Sequence, residues 1–381
     1  MKVHTGSQST ASQQATGKDA KLYQASQWQL IWWRFCKHRV AVISGVIIIF
    51  LYLVAAFAEF IAPYDPAAFS PLHAFVPPQQ IRVVDSEGTL RRPFVYGLTR
   101  SRDPETARIT YEPDTSIIMP LKFFVRGDEY KFWGLIRSDL HLFGIDAGPR
   151  DRVFIWGADR LGRDLFSRLV YATRVSLSIG LLGVILSFVF GIVIGGISGY
   201  YGGWIDNVIQ RLIDFIRSIP TIPLWMGLAA ALPVEWPPTR VYFLITLILS
   251  IIGWTGLARV VRGRFLALRE EDFVTAARFV GASEARIIFR HMLPSFGSHI
   301  IAALTLAIPD MILAETSLSF LGLGLRSPVN SWGVLLQEAQ NLSSVALAPW
   351  LLLPGVAVVV TILAFNFLGD GLRDAADPYG D

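Results

Sequence analysis

The chain has 381 residues, 52% of them hydrophobic and 17% charged, with a net charge of +4 at pH 7 and a mean hydropathy of +0.46. A soluble domain carries about a quarter charged residues, so an ordinary water-soluble fold is excluded and the bilayer is indicated as solvent. The small positive balance gives no argument for nucleic acid, and the single cysteine, Cys36, excludes an intramolecular disulfide and a cysteine-based metal site.

Residues 1–39 read as a tail followed by an interfacial helix. Ser, Gln, Thr and Ala dominate up to about residue 25 without apolar periodicity, which predicts a disordered tail. Trp28 to Arg39 mixes aromatics with Arg34 and Lys37, the pattern of a helix lying on a membrane surface. Residues 40–62 are apolar apart from Ser44, Tyr52 and Glu59 and predict the first transmembrane helix. Ala56-Phe57-Ala58 resembles a cleavage site, but the preceding tail and long apolar run read as an uncleaved anchor. Pro63 and Pro66 stop this helix.

Residues 63–158 hold prolines, arginines and aromatics with no spanning run, and predict a small water-facing insert, β-rich, with strands near 81–84 and 122–125. Phe123, Phe124, Tyr130, Phe132 and Trp133 cluster near Lys122, Arg126 and Lys131. They either pack internally or help form a docking surface. Further apolar runs near 175–198, 219–233, 241–261, 298–316 and 350–368 bring the expected number of spans to about six within a core of 159–381. The basic N-terminal flank and the arginines of 262–297 place both in the cytoplasm, with the 199–218 loop; alternation puts 63–158 outside. The C-terminus then lies inside.

Catalytic machinery is not evident. The chain has no phosphate-cradling Gly-rich loop, no His-x-x-x-His pair and no Gly-x-Ser-x-Gly elbow. Ionisable residues within apolar runs are the remaining functional candidates. Glu59 and Asp310 read as makers of an interfacial or interhelix hydrogen bond. Glu315 precedes Thr316-Ser317-Leu318-Ser319, so it either takes local hydroxyls or sits on a pathway or at a subunit seam.

Residues 262–297 are the most informative stretch. Phe273, Ala276, Ala277 and Val280 recur at i, i+3, i+4 and i+7 and form one helix face, thinned by the alanine pair so that another protein can approach. Gly281 permits a left-handed turn, Ser283 can cap a second helix, and Pro294 ends it before the next span. The stretch is an amphipathic surface helix pair or a docking knob.

This elbow resembles the "EAA" loop of ABC importer permeases. Ala276, Ala277, Gly281, Leu293 and Pro294 fall at the required spacing, while Thr275 replaces the Glu and His291 an Ile. Leu161-Gly162-Arg163-Asp164, Ser317 to Gly324 and Gly369 to Asp374 resemble the oligopeptide/dipeptide branch, most closely its second, C-type permease. The large insert is similar to that of microcin C/Yej-like permeases.

The resemblance implies an all-α polytopic membrane protein of the bacterial inner membrane, with the type I ABC importer permease fold and about six transmembrane helices. It implies a heterodimer with a second permease, two cytoplasmic ATPase subunits docked at the elbows, and a periplasmic substrate-binding protein. ATP and Mg would be bound by the partners, so this chain would need no cofactor or metal and carry no bond chemistry. Thr275, Ala276, Ala277, Gly281, Ser283, Leu293 and Pro294 would couple to the ATPase. Arg91 and Arg92 in the insert are candidates for docking the binding protein. Peptides lead as substrates, with opines, oligosaccharides and nickel complexes as alternatives. An ion-coupled secondary transporter and a membrane receptor are the rivals from other classes; the former lacks an evident paired midplane site.

Overall fold

A computed structural model describes residues 27–102, 104, 109–145, 152–233 and 235–376. The expected tail lies outside these residues. Helix α1 (Gln27–Lys37) leads into α2 (Arg39–Ala56) and the short α3 (Ala58–Ile61). Phe35 of α1 packs with Ala41 of α2 and Ala375 near the C-terminus, while Trp32 and Trp33 stay exposed. The segment expected to be interfacial is thus a helix tied to the bundle through Phe35.

The insert is an antiparallel meander of β1 (Arg82–Val84), β2 (Leu90–Arg102), β3 (Ile109–Phe132) and β4 (Ile136–Ile145). β2 pairs with the first half of β3, from Arg102↔Ile109 to Phe94↔Pro120, and β4 pairs with the second half, from Leu121↔Ile145 to Phe132↔Ile136. Two hairpins thus run end to end along one long strand, and the ribbon buries little. Phe94, Val95 and Tyr96 are covered, whereas Phe123, Phe124, Trp133, Leu135 and Ile136 are exposed. Internal packing of the aromatic cluster is therefore corrected for Phe123, Phe124 and Trp133.

The helical core follows. α4 (Leu165–Tyr201), α7 (Pro238–Leu268), α10 (Gly297–Phe320) and α13 (Leu353–Ala376) are long and apolar, and with α2 make five helices, among the described residues, long and apolar enough to cross a membrane. Between α4 and α7 lie α5 (Gly203–Ser218) and α6 (Thr221–Ala230), bent by 84° at their junction. Counted as one broken span they make the sixth. The expectation that 199–218 is a loop and 219–233 a separate span is thus corrected. α6, at 10 residues, reaches only about 15 Å, half a bilayer. Ile219 and Pro220 leave the helix with extended backbone, which makes the bend.

Close packing of α4 on α7 rests on Gly191, Gly195 and Gly199, four residues apart along one face. A Cβ on Gly199 would stand 2.6 Å from the Arg262 carbonyl oxygen, and one on Gly195 would collide with the Ala258 backbone. Small residues at this spacing let membrane helices approach backbone to backbone. The main core joins α2, α4, α7, α10 and α13, and a separate cluster of Tyr200, Val261, Phe265, Val274, Ile287, Met292 and Phe296 lies where α4 and α7 end. The chain therefore has an insert end and an elbow end.

Candidate functional site

At the elbow end, α7 runs on to Leu268, so Arg262 and Arg264 are helical rather than part of a loop. Arg262 donates to Asp206 of α5 at 2.5 Å through Nε and through Nη2, and Ser198 donates to the same carboxylate at 2.5 Å. The elbow proper starts with α8 (Asp272–Phe279). Its C-terminus closes with the paired bonds of a Schellman motif: the Ala282 N–H donates to the Ala277 carbonyl at 3.0 Å and the Gly281 N–H to the Arg278 carbonyl at 2.9 Å. Gly281 takes φ +78°, the left-handed value this motif requires.

Ser283 then caps the second helix, its hydroxyl accepting from the Arg286 N–H at 3.4 Å. That helix, α9 (Glu284–Arg286), continues through a π turn, Ile287–Met292, into Leu293–Ser295. Pro294 does not end it, correcting the expectation. The widened turn, in which the Leu293 N–H bonds the Ile288 carbonyl, is where the helix accommodates a residue with no N–H to give. The break falls at Phe296, φ −123°.

The elbow has two faces. Val274 is fully buried among Val261, Phe265 and Ile287, with Ala277, Ala282 and Leu293 packed against them. Thr275, Ala276 and Pro294 are exposed, as are Phe273 and Phe289, and Phe279 and Val280 are left 87% and 88% accessible. The expected face is therefore divided: Phe273, Ala276 and Val280 look outward, while Ala277 is half inward. Four large apolar side chains left open on one short capped elbow are unusual for a surface that meets only water. Tyr201 donates to Glu284 at 2.7 Å and Arg278 lies over the Tyr200 ring at 5.5 Å, so the end of α4 is held to both elbow helices.

Glu315 is fully buried within this chain. Ser319 donates to its Oε1 at 2.7 Å and Ser176 of α4 to its Oε2 at 3.4 Å. Ser176 in turn accepts from the Trp332 N–H at 3.1 Å, and Ser319 from the Leu325 N–H at 3.0 Å. This hub locks the end of α10 to α4 and to α11 (Trp332–Gln337). The local-hydroxyl reading holds for Ser319, and the bonds that Glu315 makes are all to residues of this chain. Glu59 makes the expected interhelix contact, forming a two-point ion pair with Arg174 of α4. Asp310 makes no hydrogen bond or ion pair among the described residues, contrary to expectation.

Two features of the insert end escaped the sequence. Asp159, Arg163, Arg168 and Glu338 form one ion network: Arg163 donates to Asp159 at 2.6 Å and to Glu338 at 2.8 Å, and Arg168 bonds Asp159, Glu338 at 2.9 Å and Asn330 at 3.0 Å. Arg163 belongs to the Leu161–Asp164 motif, whose Asp164 caps α4 through the Ser167 N–H at 2.7 Å; burial raises the Asp164 carboxyl to about 6. The other feature is Trp133. Its indole N–H donates to the Ala56 carbonyl at 3.0 Å, its backbone N–H to Glu59 at 3.2 Å, and the Arg174 guanidinium lies 4.5 Å from its ring. The β3–β4 tip is thereby fastened to the end of the first span. Trp133→Ala should free that tip and speed proteolysis between residues 122 and 140 about tenfold, without changing membrane insertion; limited proteolysis with mass spectrometry checks this.

Arg91 and Arg92 lie at the start of β2. Arg91 donates to Asp85 at 2.6 Å, and Asp85 also accepts from the Glu87 and Thr89 N–H groups at 3.0 and 2.8 Å. The Thr89 N–H above all, with Arg91, holds the Asp85 carboxyl below the usual carboxylate range. Arg91 is thus half committed to the β1–β2 turn, while Arg92 is exposed.

Residues 191–379 match the family "Binding-protein-dependent transport system inner membrane component", and residues 26–78 match "N-terminal TM domain of oligopeptide transport permease C". The ribbon lies between the two. The chain is 40% identical over 224 residues to a dipeptide transport system permease protein of Alkalihalophilus pseudofirmus, covering 58% of this chain and 71% of the relative. It is 35% identical over 243 residues to an oligopeptide transport system permease protein of Bacillus subtilis, covering 63% of this chain and 76% of the relative. A solved structure of the MetNI methionine ABC transporter, inward facing, superposes with a TM-score of 0.42 at 20% identity, over 55% of this chain and 97% of that one. With identity of this extent to peptide permeases, and matches at both ends of the chain, this multi-pass membrane protein belongs to the oligopeptide/dipeptide family of binding-protein-dependent ABC importer permeases.

Proposed function

We propose that this chain is the C-type permease of an ATP-driven importer for dipeptides or oligopeptides, paired with a second permease and coupled to two ATPase subunits. The observation that carries the reading is the elbow: a Schellman-closed helix pair, with Phe273, Phe279, Val280 and Phe289 left open, at the end of the bundle opposite the insert. The elbow and N-terminus then face the cytoplasm, where the ATPase would meet Thr275, Ala276 and Gly281, with Ala277, Ser283, Leu293 and Pro294 holding the shape. Closure of two ATPases would draw two elbows together and reopen the pathway to the other side, a two-state shift biased by ATP and by loaded binding protein. ATP and Mg belong to the partners. The long insert favours the microcin C/Yej-like subgroup.

The exposed start of β2 is the proposed docking surface for the binding protein, with Arg92 steering a complementary face. Reconstituted transporter tests both points. Loaded binding protein should stimulate ATP hydrolysis by the assembled complex, and vanadate should stop uptake. Arg92→Glu should raise the half-saturating concentration of binding protein about threefold to tenfold, more at low salt. Uptake that survives vanadate and collapses with a protonophore while ATP stays high would make the chain a secondary transporter instead. An Arg92→Glu curve that overlays wild type removes Arg92 from docking.

A further inference from the structure

Asp310 sits about midway along α10, next to Pro309 and far from either helix end. Its side chain is exposed and has no hydrogen bond or ion pair among the described residues. A lone carboxylate at this depth does not face acyl chains; intramembrane ionisable groups face a bundle interior, a partner or a water-filled path. Asp310 also lines a cavity of about 270 Å³ between α4, α6, α7 and α10, whose walls are mostly apolar side chains such as Val184, Leu249, Ala307 and Met311.

Ser187 and Trp225 also line it. The Ser187 hydroxyl donates to the Ser250 carbonyl at 3.2 Å. The indole N–H of Trp225 is closed to water and has no partner among the described residues, so Trp225 presents ring rather than donor to the cavity. The cavity thus offers one unpaired acceptor, the Asp310 carboxylate, among largely apolar walls. Its volume is below the about 300–1,000 Å³ of sites that enclose a drug-sized molecule, so it suits one end of a larger substrate.

We propose that this cavity binds a primary ammonium group of the passing substrate, Asp310 accepting from the ammonium. The group is either a peptide amino terminus or a lysine side chain. The assignment rests on the importer reading and adds a contact inside the membrane to whatever the binding protein selects.

The test uses the assembled transporter without ATP or binding protein. Dicyclohexylcarbodiimide, which partitions into apolar sites, should label Asp310, read by mass spectrometry. Trialanine or N-acetyl-Ala-Lys-Ala should slow labelling about tenfold or more, the size of one charge-assisted hydrogen bond, and which of them protects identifies the source of the ammonium. N-acetyl-trialanine should leave the rate within about twofold. Equal protection by the acetylated peptide, no protection by either ammonium peptide, or no labelling overturns the site. So does loss of the second permease from purified Asp310→Asn, which would make the carboxylate a seam residue. Because no hydrolysis is read, this outcome is independent of whether loaded binding protein stimulates the ATPases.

Discussion

Ala277→Asp is expected to abolish uptake while the protein stays in the membrane at wild-type level. Ala277 is the third residue from the end of α8, and its carbonyl accepts the Ala282 N–H that closes the elbow. Its methyl packs on the cluster of Val261, Phe265, Val274 and Ile287. A carboxylate there would be half desolvated with no basic partner placed for it: Arg278, its neighbour, stands over the Tyr200 ring. Burying an unpaired charge costs several kcal/mol. The elbow is the cheaper thing to unpack, since its cluster is separate from the core that joins the spanning helices. Insertion should survive and coupling should not.

Gly281 separates the two faces of the same argument. Nothing lies within 4 Å of a Cβ placed there, so within this chain the change is limited to the left-handed backbone, φ +78°. That conformation costs an L-residue about 1–2 kcal/mol and asparagine or aspartate least. Gly281→Asn should therefore keep most of its activity. Gly281→Asp adds a charge to a surface that a partner covers, and should lose uptake and ATPase co-purification together. Co-purification and binding-protein-stimulated hydrolysis, measured for all three variants, give the answer. Wild-type uptake by Ala277→Asp and Gly281→Asp would end the docking reading of the elbow.

The elbow was legible because its signals are local. A helix face, a glycine at a left-handed position and a serine cap all lie within a dozen residues, and the Schellman bonds join residues three and five apart. The spanning helices were legible from apolar runs alone, and the insert from their interruption. What failed was of two kinds. α5 reads as a loop because Asp206, Arg211, Asp214 and Arg217 interrupt its hydropathy; yet Ile209, Ile213 and Ile216 recur at helical spacing and pack against Trp254 and Ala258 of α7. That face was readable, and charge obscured it. The second kind could not be read from one sequence. Arg168 finds Glu338 170 residues away, Arg174 finds Glu59 115 residues away, and Trp133 reaches Ala56 across 77. Nothing local distinguishes these arginines from those that snorkel to a membrane surface.

Arg168→Met should destabilise the chain by about 3–5 kcal/mol, the cost of removing one member of a buried ionic cluster. Arg168 is 1% exposed and Asp159 is fully buried. The guanidinium holds Asp159, Glu338 and the Asn330 amide at once, joining α4 to the segment before it and to the turn that follows α11. Methionine fills much of the volume but leaves Asp159 with Arg163 as its sole cation and Glu338 with one contact fewer. The loss is therefore charge left uncompensated rather than packing removed. Asp159→Asn distinguishes these. An asparagine oxygen can still accept the Leu161 and Arg163 N–H groups that Asp159 Oδ1 accepts at 2.8 and 3.0 Å, so the loop geometry is kept while the charge is taken away. In the double variant the stranded carboxylate is gone, and the loss should be smaller than the sum of the two single losses by about 1 kcal/mol or more. Thermal unfolding of the purified complex in detergent, for wild type, both single variants and the double, reads the cycle. An unchanged midpoint for Arg168→Met would show that the network holds nothing, and strictly additive losses would show that Arg168 acts on neighbours other than Asp159.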